Sequence, residues 1–144
     1  MQVSVLLQRK GSEVVTVVPE AQVSAVAKTL AERRIGAVVV SRDGATIDGI
    51  LSERDIVLAI AERGAPALRE PVSSIMTRSV FTCEPDTTID QLMETMTDQR
   101  VRHVPVLVSG SLAGIVSIGD VVKDRISTLQ SENDSLQSYI THPY

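Results

Sequence analysis

A chain of 144 residues with 43% hydrophobic and 22% charged residues suits one globular domain, or two small units that share a core. The aromatic fraction is only 2% and the net charge is −4, so neither a base-stacking platform nor a basic nucleic-acid surface is expected. A single cysteine, Cys83, excludes an internal disulfide and a multi-cysteine metal site. With no apolar run of roughly 20 residues and no secretory signal, we expect a cytoplasmic protein that binds neither membranes nor nucleic acid.

The first half of the chain has the patterns of a strand, a helix, two strands joined by a glycine-containing turn, and a second helix. These elements are predicted over residues 14–18, 23–31, 37–40, 47–51 and from Ser52 onwards. The second half has the same order, with a strand near Cys83, a helix containing residues 89–96, strands over 104–108 and 112–116, and a helix from Ser117. Thr87, with Asp90 three residues later, is predicted to cap the first helix of this half.

The two halves form an internal repeat. Residues 49–57, GILSERDIV, return as residues 114–122, GIVSIGDVV, and residues 10–12 are extra in the first copy. A unit of about 60 residues is only marginally stable alone, so the copies are expected to pack together through their sheets. The predicted organisation is repeat one over 1–64, a linker over 65–71, repeat two over 72–126 and a helical extension over 127–144.

A glycine, a serine and an aspartate keep one register in each copy, at the start of its second helix. Free backbone amides and the helix dipole favour an anion there, so a phosphate could accept from them and from the Ser52 hydroxyl. The Asp55 carboxylate could accept hydrogen bonds from two ribose hydroxyls. Gly49 would let a ligand approach the backbone closely, and Arg54 could contact a phosphate.

The second copy assigns the same roles to Gly114, Ser117 and Asp120. Gly119 stands there in place of Arg54, so the second cleft is expected to lack this cation unless Arg102 or His103 supplies one. A serine three residues before an aspartate at a helix start is also an ordinary capping box, which needs no ligand. A nucleotide site and a simple helix cap therefore both remain open for each motif.

The order of elements and the repeated Gly-x-x-Ser-x-x-Asp motif resemble the cystathionine β-synthase (CBS) domain family, in which a tandem pair is called a Bateman module. The resemblance covers residues 3–126 and implies an α/β (α+β) fold of two β-α-β-β-α repeats, related by pseudo-twofold symmetry and often homodimeric. It also implies an adenosine ligand between the copies: AMP, ADP, ATP, NAD, NADH or S-adenosylmethionine. By position, the adenine contacts would be Thr16, Ile35, Gly36, Ala37 and Val38 in repeat one, and Thr82, Arg102, His103, Val104 and Pro105 in repeat two.

The predicted function is that of a regulatory sensor that binds an adenine nucleotide and thereby changes its shape and its affinity for another protein. AMP is the first candidate and NAD(H) the second, because ATP would bring negative charge that the second cleft is expected not to neutralise. The alternative is a ligand-free dimerisation scaffold whose Ser/Asp pairs only cap helices. No enzyme, catalytic residue or metal site is predicted, because His103 has no catalytic partner.

The C-terminal extension has apolar residues at alternating steps of four and three, with one polar position. These residues are Val122, Ile126, Leu129, Asn133, Leu136 and Ile140. A lone asparagine at a core position is a known device for register and dimer choice in coiled coils. The pattern is too short to exclude an amphipathic helix that packs on its own or a partner's core. Both interpretations favour a homodimer.

Overall fold

A computed structural model of the chain describes residues 1–141, which form two similar units and a long C-terminal helix. The helices are α1 (Val3–Lys10), α2 (Val23–Arg33), α3 (Glu53–Arg63), α4 (Ile89–Gln99) and α5 (Ile118–Thr141). The strands are β1 (Thr16–Val17), β2 (Ala37–Val40), β3 (Gly49–Ser52), β4 (His103–Val108) and β5 (Ser111–Ser117). Two 3-10 turns, Ala65–Arg69 and Val72–Ser74, connect the units. The predicted mixed α/β repeat architecture is confirmed.

The two sheets differ in their first strand. In the first unit β1 pairs in parallel with β2, which pairs antiparallel with β3. In the second unit β4 and β5 form an antiparallel pair, and Cys83 makes only an isolated parallel bridge to Val106. The strand predicted near Cys83 is therefore wrong in extent. Val39 donates its amide hydrogen to Val15 in the first unit, whereas its counterpart Pro105 has no amide hydrogen to donate.

Each unit has its own core, and the chain crosses between the units to complete both. Val3 and Leu6 of α1 are buried in the core of the second unit, with α4, β4 and β5. Val72 and Met76, at the start of the predicted second repeat, are buried in the core of the first unit, with α2, β2 and β3. The repeat boundaries drawn along the sequence stay a prediction, but the packing already shows that neighbours in sequence belong to different cores.

Backbone hydrogen bonds show the approximate twofold relation between the units. In the first matched pair, Val3 N donates to Thr87 O (2.9 Å) and Val72 N donates to Ala21 O (2.8 Å). In the second pair, Ser4 N donates to Pro85 O (2.9 Å) and Ser73 N donates to Pro19 O (3.1 Å). In each pair the donor comes from the crossing segment and the acceptor from the residues that precede a helix. The crossing segments are therefore part of the repeat, and they hold the two units together.

The helix that opens the second unit begins one residue later than expected. Thr88 is its N-cap, its hydroxyl accepts from Gln91 N, and the Gln91 side chain accepts from Thr88 N. The predicted cap by Thr87 and Asp90 is wrong. The Thr87 hydroxyl accepts instead from Glu84 N at 3.1 Å, which closes the turn before the helix.

The last helix extends well past the core of the second unit. Val121 and Asp124 are buried, whereas Leu136 and Ile140 are 62% and 75% exposed. The interpretation in which the far end of α5 packs on the core of its own chain is therefore wrong for residues 1–141. The coiled coil and the partner's core remain the open interpretations. Within residues 1–141, each helix is too short or too polar to span a lipid bilayer.

Candidate functional site

A cleft of about 610 Å³ lies between the two units. One wall comes from the first repeat, at the end of α1 and in the connection from α2 to β2. The other wall comes from β4, β5 and the first turn of α5. The cleft is thus lined by both copies, as expected for a ligand held between them.

The cleft brings together residues that the sequence assigned to two different motifs. The predicted residues that line it are Ile35, Gly36, Ala37, His103, Ser117 and Asp120. The Ser/Asp motif of the second repeat therefore faces the apolar segment of the first repeat. This pairing arises because the twofold relation places the start of α5 opposite the start of β2.

Asp120 is the best-connected carboxylate of the cleft. Its Oδ2 accepts from Ser117 N at 2.9 Å, and Asp120 N donates to Ser117 Oγ at 3.2 Å, which together form a capping box. Lys10 Nζ donates to the same Oδ2 at 2.6 Å and to Ile115 O at 2.7 Å. Burial acts to raise the pKa of Asp120, but the Lys10 ammonium and Ser117 outweigh it and hold the pKa below its usual range. Asp120 is therefore ionised at neutral pH.

Lys10 is one of the cleft residues that the sequence did not predict. The only signal for it was that residues 10–12 are extra in the first repeat, a fact that carries no chemical information alone. Lys10 ends α1, and it reaches Asp120 because α1 packs on the second unit. A contact that depends on this crossing could not be read from the motif.

The cleft around Asp120 also carries more positive charge than expected. Lys10, Arg33 and Arg34 line it, and Arg33 Nη1 lies 3.2 Å from Glu13 Oε1. The expectation that this cleft lacks a cation is therefore wrong. The cations come from the first repeat and not from the residues beside the second motif.

The corresponding motif of the first repeat has a neutral neighbour in place of the lysine. Asp55 Oδ2 accepts from Ser52 N at 2.9 Å and from Ser52 Oγ at 3.0 Å. Thr77 Oγ1 donates to the other oxygen, Oδ1, at 3.2 Å, and the Thr77 backbone pairs with Ile50. The two motifs share their capping geometry but differ in charge, because the further partner of Asp55 is the Thr77 hydroxyl and that of Asp120 is the Lys10 ammonium.

His103 lies at the junction of the two units, and its ring packs on Gly36. A Cβ added to Gly36 would lie 3.0 Å from Cε1 and Nε2 of the imidazole. Burial lowers the pKa of His103, against the opposing effect of the Glu53 and Asp120 carboxylates. The ring is therefore neutral at physiological pH and can offer one donor and one acceptor to the cleft.

The model of the CBS domain matches residues 10–62 and 72–126, which is more than half of the chain. The chain belongs to the CBS domain family. Its fold is similar to that of the CBS-domain containing protein ATU1752 from Agrobacterium tumefaciens, with a TM-score of 0.84 and 51% identity over 87% of this chain and 99% of that one.

Two further CBS proteins extend the comparison. PAE2072 from Pyrobaculum aerophilum, whose structure is a complex with AMP, is 31% identical with a TM-score of 0.73, over 83% of this chain and 89% of that one. The mitochondrial protein CBSX3 of Arabidopsis thaliana is 35% identical over 81% of this chain. The matched region spans 59% of the length of CBSX3.

Gly49 and Gly114, the glycines of the two CBS motifs, make room for the segments of the chain that cross between the units. A Cβ on Gly49 would lie 2.7 Å from Met76 Sδ and 2.8 Å from Thr77 O. A Cβ on Gly114 would lie 2.9 Å from Leu7 Cδ2. The expectation that Gly49 admits a ligand to the backbone is therefore replaced by a packing role, in which each glycine receives one crossing segment.

The remaining predicted contacts do not line the 610 Å³ cleft. They are Thr16, Val38, Gly49, Ser52, Arg54, Asp55, Thr82, Arg102, Val104, Pro105 and Gly114. Val38 and Val104 are fully buried in the two CBS cores, and each is paired within its sheet. Their side chains are therefore not available to a ligand, whereas Thr16, Thr82 and Arg102 are exposed.

Cys83 and metal-binding groups add no further chemistry to the described CBS pair. Burial raises the pKa of the Cys83 thiol to about 11, so the side chain is protonated and packs in the core as a small hydrophobe. Within residues 1–141 no group of three or more His, Cys, Asp and Glu side chains could hold a metal ion. His142 lies outside the described residues.

Proposed function

We propose that this CBS pair is a regulatory module that binds an adenine nucleotide in the cleft between its repeats. The observation that carries the proposal is the ionised carboxylate of Asp120, which faces the apolar wall of residues 35–37 across a cleft of about 610 Å³. Support also comes from PAE2072, which is 31% identical and whose structure is a complex with AMP. Ligand pockets commonly combine such an apolar wall with a few placed polar groups.

In the proposed complex, each part of the nucleotide has its own surface. The adenine lies against Ile35, Gly36 and Ala37, where backbone groups can read its edge. The ribose hydroxyls donate to the carboxylate of Asp120, whose two oxygens both act purely as acceptors in the ionised form. The phosphate lies near the first turn of α5 and the Ser117 hydroxyl, where the helix dipole favours negative charge.

AMP stays the first candidate ligand, on the strength of the complex of PAE2072 with AMP. ATP is no longer disfavoured on charge, because Lys10, Arg33 and Arg34 line the cleft. ADP and ATP therefore join NAD, NADH and S-adenosylmethionine as ligands to be tested. Regulation requires that one conformation of the module bind the nucleotide better than another, with the output passed to a protein partner in the cytoplasm.

We also propose that the module forms a homodimer and that it has a regulatory role without catalysis. Apolar residues remain exposed on α3, at Val57 and Leu58, and on α5, at Val122 and Ile126. These faces would be covered by the same faces of a second copy, which is the usual closed arrangement of identical chains. No step of catalysis is assigned to any residue.

The second candidate function is a dimerisation scaffold that needs no ligand. It is favoured by the capping box of Ser52 and Asp55, which is complete within the chain. Thr88 and Gln91 form a similar box at a helix where no ligand is predicted. The geometry of the cap alone therefore does not require a nucleotide.

Isothermal titration calorimetry with AMP, ADP, ATP, NAD, NADH and S-adenosylmethionine tests the proposed function. At least one of these ligands should bind the wild-type protein, and Asp120→Ala should weaken that ligand by about tenfold or more through lost charged hydrogen bonds. The matched control is Asp98→Ala, which removes an exposed carboxylate from α4. No binding of any ligand at millimolar concentration would favour the scaffold.

A further inference from the structure

We propose that Lys10 is a movable counter-ion of Asp120 that makes the cleft selective for phosphorylated adenosine ligands over adenosine itself. The inference rests on the proposed nucleotide function and adds the basis of selectivity. Lys10 Nζ lies 2.6 Å from Asp120 Oδ2 and 2.7 Å from Ile115 O. The ammonium thus lies where a ribose hydroxyl would have to donate.

The ion pair competes directly with the ribose. Oδ2 of Asp120 already accepts from the Ser117 amide and from the Lys10 ammonium. If each of the two vicinal hydroxyls of the ribose donates to a different oxygen of the carboxylate, the hydroxyl at Oδ2 displaces the ammonium. The Lys10 and Asp120 side chains are 26% and 24% exposed, so this exchange can take place from solvent.

Displacement has different consequences for charged and uncharged ligands. An uncharged nucleoside would separate Lys10 from its partly buried counter-ion and offer no anion in return, which is unfavourable. A phosphate brings the anion that the displaced ammonium needs. Glu13 does not supply this anion, because its carboxylate already lies close to Arg33.

The exchange needs only the side chain of Lys10 to move. The helix α1 is held by Val3 and Leu6, which are buried in the core of the second unit. Arg9 Nη1 also lies 3.3 Å from Asp124 Oδ1 on α5. Lys10 is the last residue of α1, and open space surrounds Gly11, which has a φ of 95°. The long lysine side chain can therefore turn toward a phosphate while the helix stays in place.

The first motif provides an internal contrast. Its Asp55 accepts from the neutral hydroxyl of Thr77 at 3.2 Å. A ribose that displaced this hydroxyl would leave no unpaired charge behind. The selectivity is therefore expected at the Asp120 cleft and not at the Asp55 motif.

Titration calorimetry of Lys10→Met with adenosine, AMP and ATP tests the inference, because methionine keeps much of the side-chain length and removes the charge. The variant should bind adenosine several-fold more tightly than the wild type, and ATP about tenfold more weakly. Lys10→Arg should keep the wild-type order of the three ligands. Lys28→Met, at an exposed position on α2, is the matched control and should change neither affinity.

The two proposals fail in different ways. If Lys10→Met changes adenosine and ATP affinities by the same factor, or changes neither, the selectivity role is wrong while nucleotide binding stands. If the wild-type protein binds none of the phosphorylated ligands, the proposed function itself is wrong and the inference falls with it. Thermal melts of each variant, followed by circular dichroism, confirm that the compared proteins are folded.

Discussion

Gly36 of the first repeat and His103 of the second are in direct contact, with room for no side chain between them. The imidazole carbons and nitrogens approach so closely that a Cβ on Gly36 would lie 3.0 Å from Nε2. Burial in this contact lowers the pKa of His103, although Glu53 and Asp120 act in the opposite direction. The junction of the repeats therefore has a titratable group that resists protonation in the folded state.

The stability of the protein should depend on pH through His103. Its pKa in the folded protein lies below the ordinary value of 6.5, so the unfolded chain takes up the proton first as the pH falls. The contribution of His103 to stability is therefore complete above pH 6.5 and decreases as the pH falls below it, until the folded state is protonated too. Thermal unfolding of the wild type over this range should show a fall in Tm that His103→Gln reduces.

The control for this experiment is His142→Gln, which replaces the other histidine of the chain, outside the described residues. It should keep the wild-type decrease. Parallel Tm curves for the wild type and His103→Gln would contradict the prediction, because the pH dependence would then arise from other groups.

The glycines that receive the crossing segments should not be equally tolerant of alanine. Gly49→Ala places a methyl group 2.8 Å from the backbone oxygen of Thr77, so the chain must shift, at a cost of about 1–3 kcal/mol. Gly114→Ala meets the flexible end of Leu7, so its cost should be smaller. Guanidinium unfolding measures the difference.

Gly119→Ala is the matched control, because its nearest neighbour, Ser117 Oγ, lies at an ordinary 3.6 Å and the site is helical. It should be neutral or stabilising by up to about 1 kcal/mol. Equal stability of Gly49→Ala and Gly119→Ala would mean that the close packing at Gly49 is not rigid.

Thr88→Ala should destabilise the protein by about 1 kcal/mol, because it removes the hydroxyl that accepts from Gln91 N at the start of α4. Thr95→Ala, an internal position of the same helix, should be neutral or slightly stabilising, since alanine is the better helix former. Urea unfolding of the two variants compares them directly. A larger loss from Thr95→Ala than from Thr88→Ala would contradict the observed cap.

The proposed homodimer should depend on the apolar face of α5 near the core. Val122→Glu combined with Ile126→Glu places charge on this face and should convert the dimer to a monomer. Size-exclusion chromatography with light scattering measures the mass. Leu136→Glu, farther along the same helix, tests whether the exposed end of α5 contributes to the dimer, as both the coiled coil and packing on a partner's core require. A monomeric wild type would contradict the dimer itself.

The sequence was sufficient for the features that depend on periodicity and repetition. The order of the repeated helices and strands, apart from α1 and the strand near Cys83, and the twin capping motifs follow from patterns within each repeat. The cleft between the copies was implied by the resemblance to the CBS family. Prediction from the sequence failed where a feature depends on contacts with a distant segment of the chain. Pro105 shortens the strand near Cys83 because it lacks an amide hydrogen, which matters only once its partner strand is known.

The charge of the Asp120 cleft could not be predicted for the same reason. Lys10 reaches Asp120 only because Val3 and Leu6 bury α1 in the second unit. Nothing in the local sequence around residue 10 indicates that crossing. A search for cations beside the motif therefore found Gly119 and missed the lysine from the opposite end of the chain.

Arg9 and Lys10 are consecutive residues of α1, and they bind two carboxylates, Asp124 and Asp120, that lie one turn apart on α5. A helix of 24 residues rises about 1.5 Å per residue and so extends roughly 36 Å. Both ion pairs are made by the first two turns of α5. A tilt of the helix by about 5° there displaces its C-terminal end by about 3 Å. If one ion pair broke while the other remained, a change of a few atoms near Asp120 would move the far end of α5 by about the length of a side chain.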